Sequence, residues 1–208
     1  MTGMETVAET GPRVEEGHRT PVITITITAV FTALVSASTF LFQIPIPSTQ
    51  GYFNLGDIMI FISGLTFGPT IGGFSGGVGS SLSDAVGGFG TFAPFTLVIK
   101  GLEGYVAGWI SQRSSSRGIL LIAWAAGSIV MVLGYFLAES FFIALVFGSS
   151  DFTGIAAASA EVPFNIFQVV GGGIVAIPVS VGIKHVIRST AFSSRILGPL
   201  KGPTAKKS

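Results

Sequence analysis

Long apolar runs without a charged side chain constrain this chain more than any other feature of its sequence. The first run extends from about Val22 to Phe42 and contains no Asp, Glu, Lys or Arg. A membrane hydrocarbon core of about 30 Å is crossed by a helix of about 20 apolar residues. Over its 208 residues the chain is 49% hydrophobic and 10% charged, whereas soluble domains carry roughly 25% charged residues. The sequence therefore predicts an all-α integral membrane protein, a bundle of six transmembrane helices.

Glycine, proline and short polar stretches mark where these six spans begin and end. The long apolar stretch after residue 55 is broken at Phe67-Gly68-Pro69 and again at Gly87-Gly88-Phe89-Gly90. We predict a loop over 43–54, and a loop or short interfacial segment over 148–161. The predicted spans are approximately 22–42, 55–68, 70–86, 92–111, 118–147 and 162–187.

The distribution of lysine and arginine predicts which side of the membrane each loop occupies. Arg13 and Arg19 precede the first span, and Arg113 and Arg117 lie between the fourth and the fifth. Six more basic residues occur from Lys184 to the end of the chain, whereas the loops after the first, third and fifth spans contain none. With six spans these two sets of segments lie on opposite sides, so both termini are predicted to be cytoplasmic.

The two ends of the chain differ in composition from the spans. Residues 1–19 mix charged side chains with glycine and proline and predict a disordered cytoplasmic tail. Residues 191–208 contain no acidic side chain and predict a basic cytoplasmic tail. Residues 20–190 are predicted to form one six-helix transmembrane domain.

Glycine recurs at four-residue spacing in the middle of the chain, which places the glycines on one face of a helix. Where side chains are missing from a contact, two membrane helices approach closely and pack tightly. The sequence therefore predicts close packing at three sets of glycines, which are Gly64, Gly68, Gly72 and Gly76, then Gly73 with Gly77, and Gly104 with Gly108.

Alanine follows the same spacing in the first span, at Ala29, Ala33 and Ala37. Such a stripe of small residues has two interpretations. It packs against other helices of the same bundle, or it faces outward and slides against a helix of a partner.

Apart from Lys184 near the end of the sixth span, the charged residues inside the predicted spans are Asp57, Asp84, Lys100, Glu103 and Glu139. A charge at the centre of a membrane helix costs about 2.5–3.5 kcal/mol on insertion scales, so such residues face the bundle interior and are functional candidates. Lys100 and Glu103 are three residues apart on one helix and can neutralise each other. We interpret them as a structural intramembrane pair.

The remaining polar residues of the spans converge on the predicted external end of the bundle. Asn165 and Gln168 are three residues apart and share one face of the sixth span. The predicted topology brings them to the level of Asp57, Asp84 and Glu139, with Tyr52 and Phe53 of the first loop as a cap. Several polar groups at one depth predict an externally open ligand pocket. Each of them taken alone is also explained by an interhelical hydrogen bond.

The sequence contains no motif that would support catalysis. A Walker phosphate-binding loop is absent, as are the nucleophile-elbow and zinc-protease motifs. There is no cysteine, and His18 and His185 are not placed to hold a metal ion. The net charge of +1 does not argue for nucleic acid. We therefore predict a protein that is not an enzyme and has no cofactor, metal or nucleic-acid partner, so that an energised transporter would need an ATPase from another chain.

Several motifs occur in a fixed order along the second, third, fourth and sixth spans. They are Asn54-Leu55-Gly56-Asp57, Gly64-Leu65-Thr66-Phe67-Gly68-Pro69, the run from Gly76 to Asp84, the run from Phe92 to Gly104, and Pro163-Phe164-Asn165-Ile166-Phe167-Gln168. With these motifs the chain resembles the substrate-binding S components of energy-coupling-factor (ECF) transporters. It is most similar to the branch typified by riboflavin-type S components.

The resemblance implies a vitamin pocket near the external face, gated by the loop between the first two spans. It also implies a complex with a membrane coupling subunit, which Ala29, Ala33 and Ala37 would contact, and with two cytoplasmic ATPases. The alternative is a stand-alone secondary transporter or facilitator that uses the same pocket. The predicted substrate-binding residues are Tyr52, Phe53, Asn54, Asp57, Asp84, Phe95, Glu139, Asn165 and Gln168.

Overall fold

The computed structural model of the protein describes residues 21–46, 51–114, 116–147 and 151–189. Of residues 142–147 and 151–153 it describes the backbone alone. The tails predicted over 1–19 and 191–208 lie outside the described residues.

Six helices and one short pair of strands form the described part of the chain. Strand β1 (Ile44–Pro45) pairs antiparallel with β2 (Tyr52–Phe53), so the first loop carries a small hairpin. The predicted helices are present in the predicted order. They are α1 (Pro21–Leu41), α2 (Gly56–Phe67), α3 (Pro69–Gly87), α4 (Ala93–Ser111), α5 (Arg117–Phe147) and α6 (Asp151–Arg188).

The prediction of a loop or interfacial segment over 148–161 is wrong for residues 151–161, which form the first three turns of α6. Four of these eleven residues are alanine, the strongest helix former, and no proline interrupts them. The helix therefore begins before the most apolar part of the sequence, from which the boundary was predicted.

The predicted breaks on both sides of α3 are confirmed. Gly68, with a φ of 96°, separates α2 from α3, and Pro69 occupies the first turn of α3. Gly88 ends the same helix with a φ of 90°, and its N–H donates to the carbonyl oxygen of Asp84. A positive φ at these two positions favours glycine because a side chain would be strained there.

Apolar side chains cover the outer surface, whereas charged side chains lie inside. Val22, Phe141, Phe167 and Ile174 are 70–74% exposed, while Lys100 is 1% exposed. Among the described residues, three helical segments are long and apolar enough to cross a membrane: Pro21–Leu41, Arg117–Phe141 and Gly154–Arg188. An outer surface of this kind is suited to lipid and not to water.

Helix α2 occupies the centre of the bundle and positions the interior around it. Ten of its twelve residues are buried, and it packs against α1, α3, α4 and α6. Its Phe61 and Leu65 belong to an apolar core that also contains Leu120 and Met131 of α5 and Val169 of α6. At about 18 Å, this helix is shorter than the membrane core, so its ends meet the loops inside the bundle.

Close glycine contacts hold α2, α3 and α4 together, as the four-residue spacing predicts. A Cβ atom on Gly72 would lie 2.6 Å from the carbonyl oxygen of Gly104, and one on Gly76 would lie 2.6 Å from that of Lys100. These backbones therefore approach as closely as glycine allows. The close approach of Gly76 to the carbonyl oxygen of Lys100 also fixes the position of Lys100 relative to α3.

The alanine stripe of α1 faces outward. Ala29, Ala33 and Ala37 are exposed and line an apolar groove between α1 and α3, together with Phe74 and Leu82. Of the two interpretations of this stripe, packing against other described helices of the same bundle is therefore wrong.

Candidate functional site

A small cavity lies where the first loop meets the ends of α3, α4, α5 and α6. Its volume is about 20 Å³, room for about one water molecule. Six of the predicted site residues line it: Tyr52, Asn54, Asp84, Glu139, Asn165 and Gln168. The structure thus brings together side chains that are up to 116 positions apart in the sequence.

Tyr52 of β2 closes one side of the cavity. Its hydroxyl donates a hydrogen bond to the Oδ1 atom of Asp84, and its ring lies 4.5 Å from that of Phe89, centroid to centroid. Burial and the neighbouring Asp84 carboxylate raise the pKa of Tyr52 above its ordinary value. The tyrosine therefore stays protonated and acts as the donor that ties the loop to the end of α3.

Gln168 of α6 fastens the loop on the other side. The backbone N–H of Asn54 donates to Gln168 Oε1 at 2.9 Å, and Gln168 Nε2 donates to Asp57 Oδ2 at 3.2 Å. Asn54 Oδ1 in turn accepts from the N–H of Gly56 at 2.8 Å, at the start of α2. One amide side chain thus joins the loop, α2 and α6.

Three predicted site residues do not line the cavity. Asp57 lies behind Gln168, where it pairs with the ammonium group of Lys100. Phe53 is half-buried outside the lining, and Phe95 is 37% exposed on the surface of α4. Phe92, which precedes the first residue of α4 and is three residues before Phe95, lines the cavity instead.

The predicted Lys100 and Glu103 pair is present, but it has a third member. Lys100 Nζ lies 3.1 Å from Glu103 Oε2 and also contacts Asp57. All three side chains are at most 2% exposed. This charge cluster lies in the core between α2 and α4, and Gln168 connects it to the loop above the cavity.

Acidic groups dominate the polar lining of the cavity. Asp84, Glu139 and Glu161 contribute three carboxyl groups, and those of Glu139 and Glu161 are hydrogen-bonded to each other. The described residues that line the cavity include no lysine, arginine or histidine. Tyr135 on α5 adds an aromatic ring, and its hydroxyl donates to Thr96 Oγ1 at 3.1 Å.

Helical spacing could have identified two of the seven lining residues that were not predicted from the sequence. Glu161 precedes Asn165 by four residues and Gln168 by seven, so all three share one face of α6. Tyr135 likewise precedes Glu139 by four residues and shares one face of α5 with it. Glu161 was missed because the loop predicted over 148–161 placed it outside the helix. The lining residues missed were Gly51, Phe89, Phe92, Thr96, Met131, Tyr135 and Glu161.

Comparison with known proteins gives matches over most of the chain. A family model described as "ECF-type riboflavin transporter, S component" matches residues 19–185. The thiamine precursor transporter HmpT of Lactococcus lactis subsp. cremoris is 31% identical over 153 residues, which are 73% of this chain and 82% of that protein. An uncharacterized protein of Pyrococcus woesei, in the gap 3′ region, is 52% identical over 101 residues, or 49% of this chain and 68% of that one.

Among solved structures, the fold is similar to that of the S component of a bacterial ECF transporter. The TM-score is 0.66, and the similarity covers 81% of this chain and 99% of the other. The sequences are 18% identical, so this comparison concerns the fold alone.

Proposed function

We propose, because this chain belongs to the family of ECF-type riboflavin transporter S components, that it captures a water-soluble vitamin or related micronutrient from outside the cell for an ECF-type importer. A member of this family is a substrate-binding transport subunit and not an enzyme.

The observation that carries this proposal is the polar cavity closed by the first loop. Buried polar groups from four helices and one hairpin converge there, inside a bundle whose outer surface is apolar. At about 20 Å³ the cavity is too small for a vitamin, so the loop has to lift before a ligand enters. Two hydrogen bonds hold the loop down: Tyr52 to Asp84, and Asn54 to Gln168.

Two ligands follow from the comparisons. The description of the family suggests riboflavin or a similar flavin, and the relative from Lactococcus lactis suggests a thiamine precursor. Both are nitrogen heteroaromatics with several donors and acceptors, which suits a lining of carboxyl, amide and aromatic side chains. A riboflavin-like ligand is the first candidate from the name of the family.

Isothermal titration of the detergent-solubilised chain with riboflavin and with a thiamine precursor tests the binding role. We expect saturable binding of one of them by the isolated chain, and copurification of a membrane coupling subunit and two ATPases from the native host. Uptake into proteoliposomes by this chain alone, without ATPases, would instead support the stand-alone transporter or facilitator.

The exposed alanine stripe is proposed as the surface that contacts the coupling subunit. Ala29→Leu with Ala33→Leu fills the groove between α1 and α3 with bulky side chains. We expect transport and copurification of the coupling subunit to fall at least about tenfold, because two helices can no longer approach closely, while the isolated chain keeps its ligand affinity.

Ala156→Leu with Ala160→Leu on α6 is the matched control, since these alanines are also exposed and four residues apart. Transport should survive in the control. Equal loss of transport in both double variants would mean that the α1 stripe is not a specific contact.

The orientation of the chain is proposed from its basic residues, with both termini in the cytoplasm. The natural sequence contains no cysteine, so an introduced cysteine is the only thiol in the chain that a reagent can label. With an impermeant thiol reagent outside intact cells, Thr91→Cys after α3 should be labelled, and Ser114→Cys beside Arg113 should be protected. The reverse pattern would place the cavity on the cytoplasmic side and contradict capture from outside.

A further inference from the structure

The charge of the cavity lining restricts what the cavity can bind. Its three ionisable carboxyl groups are those of Asp84, Glu139 and Glu161, and the described lining residues provide no cationic side chain to balance them. The buried ammonium of Lys100 is already paired with Asp57 and Glu103. The hydrogen bond between Glu139 and Glu161 requires one proton, so this pair carries at most one negative charge. In a site shielded from water, that charge and the Asp84 carboxylate would repel an anionic ligand and attract a cationic one.

Two buried polar atoms in the lining add an independent requirement. Glu139 Oε2 and Asn165 Nδ2 have no hydrogen-bond partner among the described residues, although these residues are 2% and 5% exposed. A buried donor or acceptor without a partner is unfavourable. A ligand that forms a hydrogen bond with each of these atoms would therefore be stabilised in the cavity. With the shared proton in the hydrogen bond to Glu161, the other carboxyl oxygen of Glu139 accepts from a donor on that ligand, and the amide nitrogen of Asn165 donates to an acceptor.

The aromatic residues of the lining define the shape of the ligand. Tyr52, Phe89, Phe92 and Tyr135 surround the cavity. Aromatic rings stack on flat ligands, and their faces attract positive charge. A flat heteroaromatic ring that carries an amino group beside a ring nitrogen offers the donor, the acceptor and the partial or full positive charge that this lining requires.

We propose that the cavity selects amino-substituted, cationic or readily protonated heteroaromatics of the aminopyrimidine type over neutral flavins and over anionic vitamins. Glu139 and Glu161 are the residues that determine this specificity, and Asn165 orients the ring through its acceptor nitrogen. The inference rests on the proposed function, since it names the substrate class of the same binding site.

Isothermal titration of the full detergent-solubilised chain with four probes tests this selectivity. The probes are 4-amino-5-hydroxymethyl-2-methylpyrimidine, thiamine, riboflavin and riboflavin 5′-phosphate. We expect one of the two aminopyrimidines to bind at least about tenfold more tightly than riboflavin, because a charge-assisted hydrogen bond is worth about one to two decades of affinity. The phosphate should not bind measurably.

Glu139→Gln and Glu161→Gln separate a specificity role from a structural one. Each keeps the shape of the side chain but removes one carboxyl group of the hydrogen-bonded pair, and the double variant removes both. We expect aminopyrimidine binding to weaken roughly tenfold or more, with the melting temperature unchanged or raised. A purely structural role would instead lower the melting temperature and weaken every probe equally.

The outcomes distinguish this inference from the function on which it rests. Riboflavin binding more tightly than both aminopyrimidines, unchanged in Glu139→Gln, would overturn the substrate class and leave the binding subunit intact. Binding of none of the four probes by a chain that still copurifies with ATPases would overturn the substrate class alone. Binding of none, without ATPases in the complex, would overturn the proposed function as well.

Discussion

Replacing Lys100 with methionine is expected to lower the free energy of unfolding by about 3–5 kcal/mol, the usual effect of removing one partner from a buried ion pair. Lys100 is 1% exposed and lies between Asp57 and Glu103. Without the ammonium group these two carboxylates face each other inside the bundle, where water does not reach them. Thermal unfolding of the detergent-solubilised chain, followed by circular dichroism, measures the loss.

A neutral replacement of the whole cluster is the control for this variant. Lys100→Met combined with Asp57→Asn and Glu103→Gln removes all three charges and keeps a carbonyl oxygen at residue 57 for Gln168. We expect this triple variant to recover most of the lost stability, because an uncharged core is often as stable as a buried ion pair. A single variant as stable as the natural chain would mean that the charges are not held together as described.

Gly104→Ala is expected to destabilise the bundle by about 3 kcal/mol, the upper end of the range for overpacking. The added Cβ would overlap the carbonyl group of Gly72 and lie 3.1 Å from Ile60 Cγ2. Because the obstructing atoms belong to a backbone, α3 and α4 have to separate to make room. The melting temperature and the yield of monodisperse protein in detergent both report this separation.

Gly101→Ala on the same helix provides the matched comparison. Its Cβ would lie 3.5 Å from the carbonyl oxygen of Gly73 and 3.7 Å from Gly77 Cα, which are ordinary contacts. We expect no loss of stability there, and a gain of up to about 1 kcal/mol from the higher helix propensity of alanine. If Gly104→Ala and Gly101→Ala destabilise the protein equally, the cause is the loss of glycine itself and not the contact with Gly72.

Local signals explain why most helix boundaries could be predicted from the sequence. Gly68 with Pro69 and Gly88 act on the backbone at their own positions, so the ends of α2 and α3 can be read without knowing the rest of the fold. The start of α6 could not be read in this way. Hydropathy reports where lipid contacts a helix, but hydrogen bonding along residues 151–161 extends this helix beyond the apolar stretch.

The site was partly predictable for a similar reason. A polar side chain that faces lipid has a high free-energy cost, so Asp84, Glu139, Asn165 and Gln168 could be predicted to face the interior of the bundle. That argument does not tell which interior group each one meets. Asp57 is also a charged residue inside a predicted span, but it pairs with Lys100 and does not line the cavity. Glu161 does line the cavity, although the sequence predicted that it lies outside the spans.

The sequence by itself determined the membrane class, the number of helices and the glycines at which they pack, because these depend on apolar length and on side-chain size. Only the tertiary structure decided that α1 presents its alanine stripe outward, that Tyr52 and Gln168 fasten the loop, and that the carboxyl groups of Asp84, Glu139 and Glu161 surround one cavity. Contacts between distant segments depend on how each helix is rotated about its axis. That rotation is set by the packing of all six helices together, and no single segment of the sequence contains it.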